Sequence, residues 1–537
     1  MSQKTLHSYH IFLFPFKWEI YQGAKHDESA IDKRYQLQEI PIDVSYWKPF
    51  TFEALPDKEG FHSYNEYTYF YEQVRDVLNV DNTVDTIHLK QFVYQGLSEV
   101  SSFSIKAKGS TYTLSLENIV ANFYENGVGV LSLFLRNTKY HDKKDIFKIN
   151  DFGRRIYPQY LGDNEPFTSV HNGAKDNFLA QEIKLSSIQS WLDSEVSEDF
   201  SHYDTQQGIS RNLFVLPKYF KALLGPAFCE PTKNAPKGTV FISPVIDDRM
   251  FTLCIYYNQD FINQLALRNI ANDGYEYLSN SDWYQMVFVD GSYPSCHSPE
   301  MMKEQLQKVT YSRWLVPYTF GKNGDSWGQV FGISRYSFVV VAAPNDFNLN
   351  VIQKHITHHY FQMVMLSLIQ RSYLVNFSNE VARISRHLNN DNDLFGKNVS
   401  EISILYRQYI KFVNRIFFRE ITPQEQGIEL YEKLQENMRI REEVKDLDQQ
   451  INELNTYAET QQQNRLTLIA SWFAVPSLLA TIIGLNPFWN DKDKWHWWLF
   501  ERGGGEWNSI VAIILVIISL LASNYVLKLL AKNKRKK

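Results

Sequence analysis

Two long apolar segments close this chain and constrain it more than any other feature. Leu466 to Leu485 reads LTLIASWFAVPSLLATIIGL, without a charge and with one breaker, Pro476. Ile510 to Leu530 reads IVAIILVIISLLASNYVLKLL. Each holds about 20 residues, or roughly 30 Å of α-helix, the length that crosses a hydrocarbon core. Membrane helices tolerate a proline, and both segments sit at the wrong end of the chain for a signal peptide. A pair of buried core helices is the competing reading. The short shared loop and the basic end favour two transmembrane helices, at 466–485 and 510–530.

Charge sets the expected orientation. The tail holds Lys528, Lys532, Lys534, Arg535, Lys536 and Lys537, whereas the loop 486–509 mixes Lys492, Lys494 and Arg502 with Asp491, Asp493, Glu501 and Glu506. The basic tail 531–537 is therefore expected in the cytoplasm. Two spans would return the chain to that side and leave both termini cytoplasmic. Three cysteines, Cys229, Cys254 and Cys296, suit a reducing compartment and show no metal-ligand spacing. Trp489, Trp495, Trp497, Trp498 and Trp507 crowd the loop, as interfacial anchors do.

Upstream, Val444, Leu447, Ile451, Leu454 and Ala458 step by threes and fours, an apolar seam on a helix. Thr422-Pro423-Gln424-Glu425 has the form of a capping box with proline at the first helical position. No Pro or Gly cluster interrupts Ile428 to Gly484, so the spacing predicts one continuous stalk helix from Thr422 into the first apolar segment. One chain with two spans cannot enclose an aqueous path, so a channel would need a ring of copies. The first segment, with Thr467, Ser471, Ser477 and Thr481, is the better lining; small residues that let helices pack closely are the alternative reading of those positions.

Two C-terminal apolar segments, a long helix entering the first, Gly484-Leu485-Asn486 at its outer end, a loop with acidic residues and a lysine-rich tail together resemble the CorA family of magnesium channels. The resemblance covers Thr422 to Lys537 best and extends more weakly back to Asn348. It implies a funnel-shaped homopentamer in the bacterial inner membrane, in contact with the lipid bilayer, with Asn486 as a ring at the outer mouth, Gly484 packed beside it and Ser477 facing the pore. It also implies Mg²⁺ or another divalent cation as the transported or regulatory ion, met through its hydration shell, with Asp491 and Asp493 raising the local cation concentration. Leu485 replaces the family's usual methionine, and the familiar acidic signature of the following loop is absent, which weighs on magnesium selectivity.

Residues 1–347 exceed what a simple channel of that family carries. Ile11–Phe14, Thr111–Leu116, Val128–Leu135, Thr252–Tyr257 and Phe338–Ala342 read as strands, with Asn126-Gly127 as a hairpin turn. Ile183 to Leu192 has helical spacing, and Asp193, Glu195, Glu198 and Asp199 read as a solvated acidic loop. The expected fold is an α+β cytoplasmic sensor domain, a helical bundle and stalk over 348–465, and the two spans.

No phosphate-binding loop, nucleophile elbow or zinc-protease motif occurs in the sequence, so no enzyme is expected. His355, His358 and His359 could put two imidazoles on one helix face, although partly exposed histidines on an amphipathic helix explain the pattern as well. The best ligand candidate is Phe152-Gly153-Arg154-Arg155-Ile156-Tyr157-Pro158-Gln159-Tyr160. Adjacent arginines grip phosphate with forked hydrogen bonds, and Tyr157 and Tyr160 offer stacking faces. A surface loop whose arginines pair with Asp145 or Asp151 is the alternative. The net charge of −5 is itself uninformative, because the basic tail offsets a more acidic cytoplasmic part, and the acidity of that part argues against a nucleic-acid coat. An enlarged N-terminal domain is similar to the CorA-type effectors encoded with type III CRISPR systems. That likeness implies gating by a nucleotide second messenger such as an S-adenosylmethionine–AMP conjugate, with ion leakage as the antiviral output. A divalent-cation transporter regulated by Mg²⁺ is the alternative.

Overall fold

One strand organises the molecule. β1 (Ser8–Ile20) is buried over nearly its whole length and lies at the centre of a 14-stranded sheet. The structure, a computed structural model, describes residues 5–23, 35–50, 66–78, 88–125, 127–156, 180–200, 214–232, 234–247, 249–270, 274–317, 324–387, 397–484 and 517. It divides into two compact units, residues 1–380 with 408–447, and residues 381–407 with 448–537.

The remaining strands are β2 (Trp47–Pro49), β3 (Leu89–Tyr94), β4 (Ser102–Ala107), β5 (Ser110–Tyr124), β6 (Val128–Asn137), β7 (Glu182–Ser186), β8 (Glu195–Asp199), β9 (Phe228–Cys229), β10 (Val240–Pro244), β11 (Phe251–Tyr257), β12 (Arg268–Asn269), β13 (Gly274–Tyr275), β14 (Thr310–Tyr311), β15 (Gln329–Ile333) and β16 (Ser337–Ala342). The main sheet runs β14–β15–β16–β11–β1–β6–β5–β4–β7–β8, with β10 and β9 branching from β1, and β3 and β2 from β5. Its pairings are antiparallel except β11 with β16 and β9 with β10. The helices are α1 (Glu72–Leu78), α2 (Lys143–Gly153), α3 (Lys218–Leu224), α4 (Gln259–Ala266), α5 (Ser281–Phe288), α6 (Pro299–Val309), α7 (Gln353–Thr357), α8 (His359–His387), α9 (Lys397–Arg415), α10 (Glu425–Asn437) and α11 (Ile440–Gly484).

All five strands expected from the sequence are present, because β-branched and aromatic residues there alternate at the period of a pleated strand. The β5–β6 hairpin forms where expected. Gly127 sits at φ +82, a backbone region favourable to glycine; Asn126 lies outside the described residues. Period two also separates the faces of β1. Phe12, Phe14 and Phe16 meet Phe103, Phe220 and Phe123 at ring separations of 6.2, 5.2 and 5.6 Å. The opposite face carries Ile11, Leu13 and Pro15. There Phe134 of β6, paired with Ile11, packs on Phe361 of α8 at 4.9 Å. Burial on both faces explains why β1 reads as almost unbroken hydrophobicity.

Several sequence expectations change. The segment expected to be helical over 183–192 begins as β7, paired with β4 and β8, with Ile183 and Leu185 buried on alternate positions. Strand pairing on both sides overrides a weak helical spacing. The acidic run is strand β8 in part, and Glu198 is buried, accepting a hydrogen bond from the Lys218 backbone N–H at 2.6 Å. The stalk helix starts at Glu425 with Gln424 as its N-cap, and the Thr422 hydroxyl accepts from the Gln424 N–H at 3.3 Å while donating to the Tyr69 carbonyl at 2.6 Å. The stalk is also not continuous. α10 ends at Asn437, and Arg439, at φ +55, separates it from α11. The expected seam is real at Leu447, Ile451 and Ala458, all buried.

The two membrane spans are corrected. Among the described residues no helix is long and apolar enough to cross a membrane. The CorA-like funnel with two spanning helices and the multi-pass inner-membrane location rested on such helices and go with them. A span needs an unbroken apolar run. α11 runs Ile440–Gly484, and Leu485, the end of the first apolar segment, lies outside the described residues. Of the second apolar segment, only Ile517 is among the described residues.

Candidate functional site

The sheet splits at Phe14 and Pro15. On one edge β1 pairs with β6 without interruption through these residues. On the other edge it pairs with β11 through Ser8–Leu13 and with β10 through Phe16–Ile20, and neither strand reaches Phe14 or Pro15. The Trp18 N–H points to the β6 side, donating to Gly127 at 2.8 Å. By strand alternation, residue 15 faces its backbone toward the split edge, where a proline leaves no unsatisfied N–H. Beside this gap lies a crevice, bordered by Pro15 and by Ile246, Asp247, Arg249 and Met250 from between β10 and β11.

That crevice is a cavity of about 260 Å³, lined by Pro15, Ile246, Asp247, Met250, Phe251, Leu368 and Met438, and by Arg154, Arg249, Arg335, Arg371 and Tyr336. The lining thus holds four arginines and one carboxylate, Asp247, while Asp151 and Glu443 stand beside Arg154 and Arg371 from outside it. Tyr336 has two guanidinium groups near it, with the Arg154 and Arg249 carbons 5.7 and 5.9 Å from the ring centre. Arg249 also pairs with Asp247 at 3.1 Å.

Arg154 is the deepest of the four. It caps the C-terminus of α2, and the preceding Gly153 packs so tightly that a Cβ there would lie 2.7 Å from Ile105 and 2.8 Å from the Phe12 ring. Its carbonyl accepts from Met250 N–H at 2.7 Å, which fixes the backbone beside the crevice. Its side chain is 4% exposed, its Nε–H is buried without a hydrogen-bond partner, and Asp151 stands 3.8 Å from its Nη2. Burial pushes its pKa down to about 10, against the pull of Asp151, with Arg249 and Arg155 pushing the same way as burial. It therefore stays charged at neutral pH, as an incompletely satisfied cation in a crevice.

The sequence-derived pair separates in role. Arg154 lines the cavity, while Arg155 turns to Asp151 at 3.1 Å and its backbone bridges to Arg249. The alternative reading, pairing with Asp151, thus describes Arg155 well and Arg154 only in part. Tyr157 and Tyr160 lie outside the described residues, as do Leu485, Asn486, Asp491 and Asp493. Gly484 and Thr481 belong to the backbone of α11, and Ser477 is exposed there, its hydroxyl donating to the Ala474 carbonyl at 3.2 Å.

Sequence reasoning missed Arg249, Arg335, Tyr336 and Arg371. One signal was present: between Lys354 and Glu380, Arg371 is the only Asp, Glu, Lys or Arg in an otherwise apolar and amide-rich stretch. Charges held in such company face a partner or a cavity.

Two polar clusters elsewhere have catalytic or metal-binding residue types. Ser8 Oγ lies 2.8 Å from His10 Nε2, and His10 Nδ1 lies 2.7 Å from Asn150 Oδ1. All three are buried, and Asn137 already donates to Ser8 at 2.8 Å, so this chain cross-links the core. His355 is 2.8 Å from Glu66, and His359 stacks on Phe70 at 4.5 Å, buried rather than partly exposed. Among the described residues no group of three or more His, Cys, Asp or Glu is placed to hold a metal ion.

Comparison with known proteins adds little. No protein family and no curated protein matches the chain. A solved structure of the CorA magnesium transporter from Methanocaldococcus jannaschii is similar at 14% identity, covering 53% of this chain and 94% of that one, with a TM-score of 0.15. A likeness that weak carries no argument about fold or function.

Proposed function

We propose that residues 1–380 with 408–447 form a sensor for a phosphate-bearing, nucleotide-type small molecule, bound in the arginine crevice. The observation that carries this is Arg154: a buried guanidinium with an unpartnered Nε–H, in a cavity with three more arginines and an aromatic ring. Forked guanidinium bonds suit phosphate oxygens, and Tyr336 offers a face to a base. At about 260 Å³ the cavity lies just under the roughly 300–1,000 Å³ of most small-molecule sites, a size for a compact nucleotide or the charged part of a larger one. The same positive lining disfavours a divalent cation, so a magnesium-transport role draws no support from this site.

The resemblance to effectors of type III CRISPR systems supplies the first ligand to try, the S-adenosylmethionine–AMP conjugate, and an antiviral setting for the response. Assembly into a homo-oligomer belongs to the same proposal. No membrane step and no catalytic step enters it.

Calorimetric titration tests the reading with four ligands: the conjugate, AMP, ATP and inorganic pyrophosphate. At least one is expected to bind with micromolar or tighter affinity. Arg154→Met, which keeps length and removes the forked donors, is expected to weaken that binding about 100-fold, as loss of charge-assisted bonds to a desolvated anion does. Circular dichroism should show the variant folded. Absence of binding by any of the four, or equal affinity in the variant, overturns the site.

A further inference from the structure

The break between α10 and α11 has no Gly or Pro behind it, and its one local side-chain contact among the described residues is the exposed pair Arg439–Glu442 at 2.6 Å. From Leu434 to Val444 the sequence reads LQENMRIREEV, without Gly or Pro and mostly of good helix formers. Yet Met438 ends α10 with a bond from its N–H to the Leu434 carbonyl, and Arg439 takes the left-handed conformation that glycine usually fills at this position. For a residue with a Cβ that conformation is unfavourable. Local preference and observed geometry disagree, so tertiary contacts impose the bend.

Those contacts lead into the arginine crevice. Met438 itself lines the cavity, as do Arg335 and Arg371. Arg335 Nε donates to the Asn437 carbonyl at 3.2 Å, at the last residue of α10. Asn437 in turn donates to the Ile333 carbonyl at 3.0 Å, tying this helix end to the β15–β16 hairpin. On the other side of the bend, Arg371 of α8 pairs with Glu443 in the first turn of α11. Further bonds, from Tyr409 to the Val444 carbonyl at 3.1 Å and from Arg441 to the Arg419 carbonyl at 3.2 Å, also hold α11 in the bent form. α10 is anchored independently: buried Gln370 of α8 bonds Tyr431 at 3.0 Å and Gln435 at 2.6 Å. Two of the four cavity arginines therefore hold the two sides of one strained junction.

We propose that Arg335 and Arg371 form a latch that bends the α10–α11 junction, and that a phosphate-bearing ligand in the crevice opens it by competing with the Asn437 carbonyl and Glu443 for their guanidinium groups. The proposal rests on the sensor reading above. Ligand oxygens and the Glu443 carboxylate are alternative partners for Arg371, and ligand and junction cannot both hold it fully. Once released, Met438 and Arg439 follow their local preference, and the junction passes from bent to helical. The continuous helix that the sequence predicts through this stretch is the ligand-bound form of the junction, and the break is its empty form.

The test uses the full chain and measures hydrogen exchange of the amides from Met438 to Val444, with and without the S-adenosylmethionine–AMP conjugate, AMP, ATP and pyrophosphate. In the wild-type protein a ligand that binds is expected to slow exchange across the junction at least tenfold. Glu443→Gln, which removes the competing charge and leaves all four arginines, is expected to bind that ligand about tenfold more tightly and to show slowed junction exchange without it. Arg439→Gly favours the left-handed form and disfavours the helix, so it is expected to weaken binding by about tenfold. Binding with unchanged junction exchange, or equal affinity across the three proteins, overturns the latch and leaves the sensor reading standing. Failure of every ligand to bind all three proteins overturns the sensor reading, and the latch with it.

Discussion

Lowering the pH from 7 to 4.5 is expected to cost the fold about 5 kcal/mol through two histidines alone. His10 and His359 are both buried, and burial is the main reason that each has its pKa lowered from 6.5 to about 4. Asn150 pulls His10 back up; at His359 the neighbouring His355 adds to the effect of burial and Glu66 opposes it. The unfolded chain binds these protons near pH 6.5 and the folded chain only near pH 4. Between those values the unfolded state holds more protons, so stability rises with pH across this window. The contribution is fully present above about pH 6.5 and is lost progressively as pH falls toward 4. His359→Phe isolates half of the effect. The His359 ring lies nearly parallel to Phe70, with 10° between the planes, so a phenyl ring suits the stack. Urea unfolding at pH 7 and 4.5 should show the variant losing roughly 2.5 kcal/mol less than the wild-type protein. An equal loss in both would show that His359 does not titrate as its burial demands.

Gly328→Ala is expected to destabilise the fold by roughly 3 kcal/mol or more. A Cβ at this position would lie 1.9 Å from the Trp314 carbonyl oxygen and 3.0 Å from the Val316 nitrogen. Both are backbone atoms, which cannot rotate aside as a side-chain end can. They are also fixed: Trp314 O accepts from Gln329 N–H at 3.1 Å, and Gly328 O accepts from Ala343 N–H at 3.1 Å. Relief would require separating the 314–316 segment from the start of β15. Gly109→Ala is the control, because Gly109 sits at φ +77 and a Cβ there would meet nothing within 4 Å. Strain alone should cost about 1 kcal/mol there. Thermal melts of the two variants decide the matter; a Gly328 variant no worse than the Gly109 variant would mean that the 314–328 contact yields easily.

The strands and the hairpin at Gly127 were legible because their determinants are local: alternation at period two, β-branched and aromatic residues, and a glycine where the turn needs it. The apolar seam at Leu447, Ile451 and Ala458 was legible for the same reason, at the helical period. The pair of adjacent arginines drew attention by its chemistry, but only one of them lines the cavity. The segment 183–192 was misread because partners from β4 and β8 set its conformation. The membrane reading rested on apolar length, a short shared loop and a basic end, and among the described residues no helix is long and apolar enough to cross a membrane.

By itself, then, the sequence determined the five strands read from it, the hairpin at Gly127 and the buried seam at Leu447, Ile451 and Ala458, and it singled out Arg154 by its chemistry. Only the tertiary structure decided what completes the site. Arg249, the adjacent Arg335 and Tyr336, and Arg371 come from three separate stretches of the chain and meet beside Pro15, where β1 changes its edge partner. It also decided that α10 and α11 are two helices. LQENMRIREEV holds neither Gly nor Pro, and the contacts that meet the break, Arg335 with the Asn437 carbonyl, Arg371 with Glu443 and Tyr409 with the Val444 carbonyl, come from other elements that no local pattern reveals.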